Sequence, residues 1–314
     1  LNISATGLQA SVFAGDGADD TINVNFDAAG EQTFLNGIGG VLNLYGQDGS
    51  DFYNIALAGA GSSVINIDDL SVGDLEAINT LNVFGTNDVD DFLFRPNSIN
   101  AVQMEINSEG HRVAGNMIER INYGSDLNGG INVYGRDGDD NFTFDDTNAA
   151  MTVFGDGGND SFQVGQVFNS PRDAQAGLAA GDLPLPTTPI TKGFITNGIS
   201  APATLKGGAG EDSFTIYRNT KEISLYGEED NDTFLIRSFV LINPDDPKAP
   251  FTNINGGQGA DFISYAMNSP VNISGGDGFD TVNYQGLTSG VTIDLAVSTV
   301  AQVQVGATSN DHTI

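Results

Sequence analysis

The 314 residues contain no cysteine, no tryptophan, 41 glycines, and 41 acidic against 11 basic side chains, for a formal net charge of −30. This balance excludes a basic face for nucleic acid, the missing thiols exclude disulfides and thiolate metal sites, and no apolar run of about 18 residues offers a membrane-spanning helix. Nineteen Phe within 39% apolar content supply hydrophobic surface for a core, which separates the chain from acidic disordered sequences.

Along the chain one unit recurs nine times: an apolar alternation, a Gly, an Asp five residues later, and a second alternation. The instances run from Gly15 to Asp20, Gly46 to Asp51, Gly85 to Asp90, Gly135 to Asp140, Gly155 to Asp160, Gly207 to Asp212, Gly227 to Asp232, Gly256 to Asp261 and Gly275 to Asp280. A second Gly follows the first by three residues at Gly49, Gly138, Gly158, Gly210, Gly259 and Gly278; Ala18, Asp88 and Asp230 replace it elsewhere. The position two before the Gly is apolar every time, and so are positions two and four after the Asp, as in Phe214 and Ile216 or Phe234 and Ile236. Period-two alternation of β-branched and aromatic residues around a Gly/Asp turn predicts strand, turn, strand and no helix.

Successive motif Asp residues are spaced by 31, 39, 50, 20, 52, 20, 29 and 19 residues. The short values fit one solenoid coil of two strands and two turns, and 39 is close to two coils. A segment at 165–204 carries Pro171, Pro184, Pro186, Pro189 and Pro202, so it is expected to leave the ladder as an excursion. A smaller insertion at 238–251 carries Pro244, Pro247 and Pro250. Residues 1–314 thus read as a single repetitive β-solenoid. Its apolar positions form inward ladders, with the Phe residues in one aromatic column. Gly306, Ser309 and Asp311 repeat the spacing once more before Ile314, and Leu1 is not Met. The expectation is a segment of a longer chain, or one on which further copies dock.

Segments such as GGAGEDSFTI (207–216), GGQGADFISY (256–265) and GGDGFDTVNY (275–284) resemble the RTX, or haemolysin-type, calcium-binding repeat, G-G-x-G-x-D-x-apolar-x. The resemblance implies a right-handed parallel β-roll or β-helix in which turn carbonyls and Asp carboxylates of neighbouring coils share Ca²⁺. Carried onto this chain, it implies ligands in the closely spaced motifs: Asp140, Asp160, Asp212, Asp232, Asp261 and Asp280, with Gly135, Gly138, Gly155, Gly158, Gly207, Gly210, Gly227, Asp230, Gly256, Gly259, Gly275 and Gly278. Asp20, Asp51 and Asp90 are the isolated candidates. Motifs recur here at about 20 residues and not at the family's nine, so the Gly/Asp turns are expected along one edge.

The charges point the same way. Coils stacked at about 4.8 Å would bring carboxylates such as Asp212 and Asp232 together without a basic partner, and a hard dication removes that repulsion. Oxygen-only donors favour Ca²⁺ over transition metals. The competing reading is that Asp and Gly form hydrogen-bonded turns that bind nothing.

The functional expectation is a structural, calcium-stabilised segment of a secreted or cell-surface bacterial protein: a stalk, surface layer, fibre or adhesin body. Expected partners are Ca²⁺ and the rest of a longer polypeptide or copies of itself. Three alternatives remain: an adhesive module binding a glycan or a protein through the excursion, a self-assembling filament subunit, and a β-helical polysaccharide lyase or hydrolase. For the last, no nucleophile elbow, Walker loop or zinc helix is present, and His111 and His312 stand far apart, so no enzyme is expected.

Overall fold

The computed structural model describes residues 1–7, 9–15, 19–59, 61–68, 77–106, 112–173, 184–237, 239–240, 252–266, 271–285, 291–294, 302–305 and 312–313. The motif residues of the tenth repeat, nearly all of the 238–251 insertion, His111 and the centre of the 165–204 excursion lie outside the described residues. Among those described the chain is all-β, with no helix. It divides into two compact units, Leu1–Phe142 with Asn148–Asp156, and Thr143–Thr147 with Gly157–Ile314.

In the first unit, consecutive strands alternate between two sheets. One sheet runs in the order Asn2–Ile3, Thr21–Val24, Phe52–Ala56, Thr80–Phe84 and Ile131–Asp137, all parallel, with Met151–Gly157 beside the last. The other begins with Gln9–Phe13, Val41–Tyr45 and Ser63–Ile67, paired in parallel, and continues into Arg112–Tyr123. Period-two alternation buries one face: Leu42 and Leu44, Tyr53 and Ile55, and Leu81 and Val83 are all fully buried. Parallel register then sets like beside like, Tyr53 against Leu81 and Ile55 against Val83.

The second unit repeats the plan. Ala203–Ala209, Ile223–Glu228, Thr252–Gln258 and Val271–Asp277 form one parallel sheet. Ser161–Val164, Ser213–Ile216, Thr233–Ile236, Phe262–Ala266 and Thr281–Gln285 form the other. The expected aromatic column is present here as Phe162, Phe214 and Phe234, whose rings stack at 4.7 and 4.8 Å with no solvent exposure. In the first unit its counterpart is the Phe92–Phe142 stack at 5.1 Å. Burying each ring contributes about 2–3 kcal/mol.

Three departures from regular coils are visible. The 50-residue gap between Asp90 and Asp140 holds a long antiparallel hairpin, Ser98–Ile106 with Arg112–Tyr123, and the first of these strands also pairs antiparallel with Asp91–Arg95. Two antiparallel steps restore the parallel direction, so the hairpin enters the sheet without reversing it. Among the described residues the Pro-rich excursion stays out of the parallel sheets until its last two residues, Ala203 and Thr204, which open Ala203–Ala209. It makes its own three-stranded antiparallel sheet of Val167–Phe168, Gly193–Thr196 and Thr187–Ile190, with Pro189 on an outer strand, where a missing N–H is tolerated. Gln302–Val305 lies in an antiparallel sheet with Val291–Asp294 and His312–Thr313.

The placement of the turns corrects one expectation. In the first unit the Gly/Asp turns do not share one edge. Those ending at Asp20 and Asp51 lead from the second sheet into the first, whereas those ending at Asp90 and Asp140 lead from the first into the second. The cause is strand parity: among the described residues the interval between Asp51 and Asp90 holds three strands, Phe52–Ala56, Ser63–Ile67 and Thr80–Phe84, not the four of two coils. An odd number of strands moves the motif to the opposite edge.

Candidate functional site

The motif Asp carboxylates clamp each Gly/Asp turn to the one before it in the ladder. In the second unit the backbone N–H of Asp160 donates to Oδ1 of Asp212 at 2.7 Å. Asp212 donates likewise to Asp232 at 2.8 Å, Asp232 to Asp261 at 2.8 Å, and Asp261 to Asp280 at 3.1 Å. In the first unit Asp90 donates to Asp140 at 2.7 Å on one edge and Asp20 to Asp51 at 2.9 Å on the other. Asp51, Asp140, Asp160, Asp212, Asp232 and Asp261 are each no more than 2% exposed. Asp280 is half-buried, and Asp230, expected among the ligands, is exposed with a positive φ of 68°.

The two motif glycines are needed for different reasons. The first lacks a positive φ at Gly135, Gly207, Gly227, Gly256 and Gly275; a Cβ at any of them would overlap Oδ2 of the Asp five residues on. At Gly207 that Cβ would also stand 2.8 Å from the carbonyl oxygen of Gly227, and the Gly155 carbonyl meets Gly135 in the same way at 2.6 Å. The second glycine adopts a left-handed conformation, with φ of 121° at Gly138, 132° at Gly158, 127° at Gly210, 123° at Gly259 and 136° at Gly278.

One oxygen of each clamp is therefore in an unusual position. Oδ1 accepts the neighbouring amide, whereas Oδ2 of Asp212, Asp232 and Asp261 is buried and accepts no hydrogen bond among the described residues. Each shares its glycine's Cβ space with a carbonyl oxygen of the next motif's first glycine: Gly227, Gly256 and Gly275 respectively. A buried carboxylate oxygen without a donor is costly unless a cation or a proton meets it. Burial accordingly raises the carboxyl of Asp212 to about 8 and that of Asp232 to about 7, with neighbouring carboxylates adding to the shift and the amide bonds opposing it. Asp261 is shifted upward for the same first cause. This is a donor set of one carboxylate and carbonyl oxygens per rung. No group of three or more acidic or His side chains converges among the described residues.

Asp90 differs. Its Oδ2 accepts from the Thr86 amide at 2.6 Å and the Thr86 hydroxyl at 3.1 Å, while burial lifts its pKa to about 6. The column through Asp20 and Asp51 continues in residues that motif reading passed over. Asp51 N–H donates to Asn79 Oδ1 and Asn79 N–H to Asn128 Oδ1, both at 2.8 Å. Asn79 carried a legible signal, with Leu81 and Val83 two and four residues on as after each motif Asp. Also outside any motif is Glu119, 5% exposed, whose carboxylate accepts the Ala58 amide (3.0 Å to Oε2) and the Gly59 amide (3.0 Å). Burial raises its pKa to about 7.

No family model, curated protein or solved structure matches this chain.

Proposed function

We propose that the chain is a structural segment, a right-handed parallel β-solenoid of an exported bacterial surface protein, whose aspartate column is completed by Ca²⁺. The observation that carries this reading is the row of Oδ2 atoms of Asp212, Asp232 and Asp261, buried beside carbonyl oxygens and without a donor. Hard oxygen donors at flexible glycine turns suit Ca²⁺ better than Mg²⁺, which demands a tighter octahedron. Alternation of strands between two parallel sheets supports the coil, and the RTX-like motifs support the ion and the extracellular setting, where calcium is plentiful. In this reading the carboxylates hold the ion and the glycines expose the carbonyls; the role is structural and no reaction is carried out.

The test is a melt of chelated protein with and without added Ca²⁺, coupled to metal analysis. A large, saturable rise in stability with bound calcium is expected at neutral pH, and Mg²⁺ should fail to reproduce it. If stability is unmoved by calcium yet rises on mild acidification, protons and not metal complete the column, and the calcium reading fails.

A further inference from the structure

Away from the aspartate column, the second unit contains a pocket of about 560 Å³ between the excursion's antiparallel sheet and the segment that follows Thr233–Ile236. Its apolar wall is Val167, Pro189, Ile190, Phe239 and Val240, with Lys192 and Thr188 supplying polar groups. The wall is held in place. The Phe239 amide donates to the Tyr217 carbonyl at 2.9 Å and its ring stacks on Tyr217 at 5.0 Å, while Thr188 Oγ1 accepts from Arg218 Nη1 at 2.7 Å. Phe239 and Val167 are nevertheless 44% and 42% exposed, so apolar surface faces the open pocket.

Charge decides what fits. The chain carries −30 overall, and Lys192 has no carboxylate partner among the described residues. An ammonium that lines an apolar wall and has no carboxylate partner among the described residues is complementary to a ligand with an apolar body and one negative end. A glycan fits poorly, because the wall offers few hydrogen-bonding groups and one face of Phe239 is already occupied by Tyr217. The volume lies within the usual range for small-molecule sites.

We propose that this pocket binds a small organic acid, its alkyl or aryl body against Ile190, Val167 and Phe239 and its carboxylate on the Lys192 ammonium. The proposal is independent of calcium in the aspartate column. Calorimetric titration of the full chain with phenylbutyrate, phenylbutanol and phenylbutylamine tests it. Phenylbutyrate should bind at one site and bind tightest of the three. Lys192→Glu, at an exposed position, should weaken it about tenfold or more with unchanged far-UV circular dichroism. Ile190→Arg should abolish binding of both the acid and the alcohol. Absent binding of phenylbutyrate, equal affinity for acid and alcohol, preference for the amine, or indifference to Lys192→Glu would each overturn the proposal. Oligosaccharide binding that Ile190→Arg removes would overturn it in favour of a glycan site.

Discussion

Asp232 binds the coil before it through one oxygen and crowds its own turn with the other: Oδ1 accepts the Asp212 amide at 2.8 Å, while Oδ2 fills the space where a Cβ of Gly227 would stand. Asp232→Asn and Asp232→Ala therefore separate the two roles. Asparagine keeps the acceptor for Asp212 and turns an N–H toward the Gly256 carbonyl, so calcium-free stability should hold or rise while the calcium response of that rung disappears. Alanine strands the Asp212 amide and should cost about 1–3 kcal/mol in denaturant melts. Equal losses from both variants would show that the acceptor is not what matters. Nature has run part of this experiment within the chain, since Asn79 and Asn128 make the same amide bonds that Asp51 and Asp232 make.

Gly227→Ala should be destabilising by about 1–3 kcal/mol because its Cβ meets Oδ2 of Asp232 in a space with no slack. Combining it with Asp232→Ala removes the side-chain obstruction but leaves the Gly256 carbonyl, so the double variant should lose less than the sum of the singles yet remain less stable than Asp232→Ala alone. Strict additivity in urea melts would contradict the shared-space account. Gly259→Ala should behave otherwise: φ is 123° and the added Cβ would run into the Asp230 carbonyl, so no change at Asp261 should rescue it.

What was legible in the sequence follows the same division. The strands on either side of each turn were readable because inward positions such as Phe214 and Ile216 must be apolar at period two. The first Gly and the Asp were readable as a pair because one oxygen occupies the other's missing side chain. The edge on which each motif falls was not readable from residue counts alone. Phe52–Ala56, Ser63–Ile67 and Thr80–Phe84 are unevenly spaced along the chain, so the interval shows three strands among the described residues where its length suggests four. The residue after the first Gly varies in type yet has positive φ at Gln47, Arg136, Asp156 and Glu228 as well as at Gly208, Gly257 and Gly276, a backbone demand that residue type alone does not display. Glu119 lay hidden because its partners, the Ala58 and Gly59 amides, are about sixty residues away and leave no local pattern.

Phe214 sits between Phe162 and Phe234 with no exposure, and replacing it with Ala should cost about 3–5 kcal/mol. Phe234→Ile, by contrast, imitates the next rung, where Ile263 takes the same ladder position, and should cost far less. Chemical denaturation followed by far-UV circular dichroism reads both. A Phe214→Ala loss no larger than that of Phe234→Ile would mean that the column packs loosely.

Glu119 makes stability depend on pH in a direction opposite to that of a salt-bridged carboxylate. Burial raises its pKa from the ordinary 4.5 to about 7 in the folded chain, so between those values the folded chain binds more protons than the unfolded one. Its favourable contribution is complete below about pH 4.5 and is lost as pH rises through 7; across that window the loss amounts to about 3 kcal/mol. The Ala58 and Gly59 amides lower the pKa and keep it from rising further, because they bond the ionised form more strongly. Glu119→Gln keeps an acceptor for both amides and carries no charge. Its melts should match the parent near pH 5, exceed it near pH 8, and show a flatter pH slope; parallel slopes for parent and variant would assign the dependence to other groups.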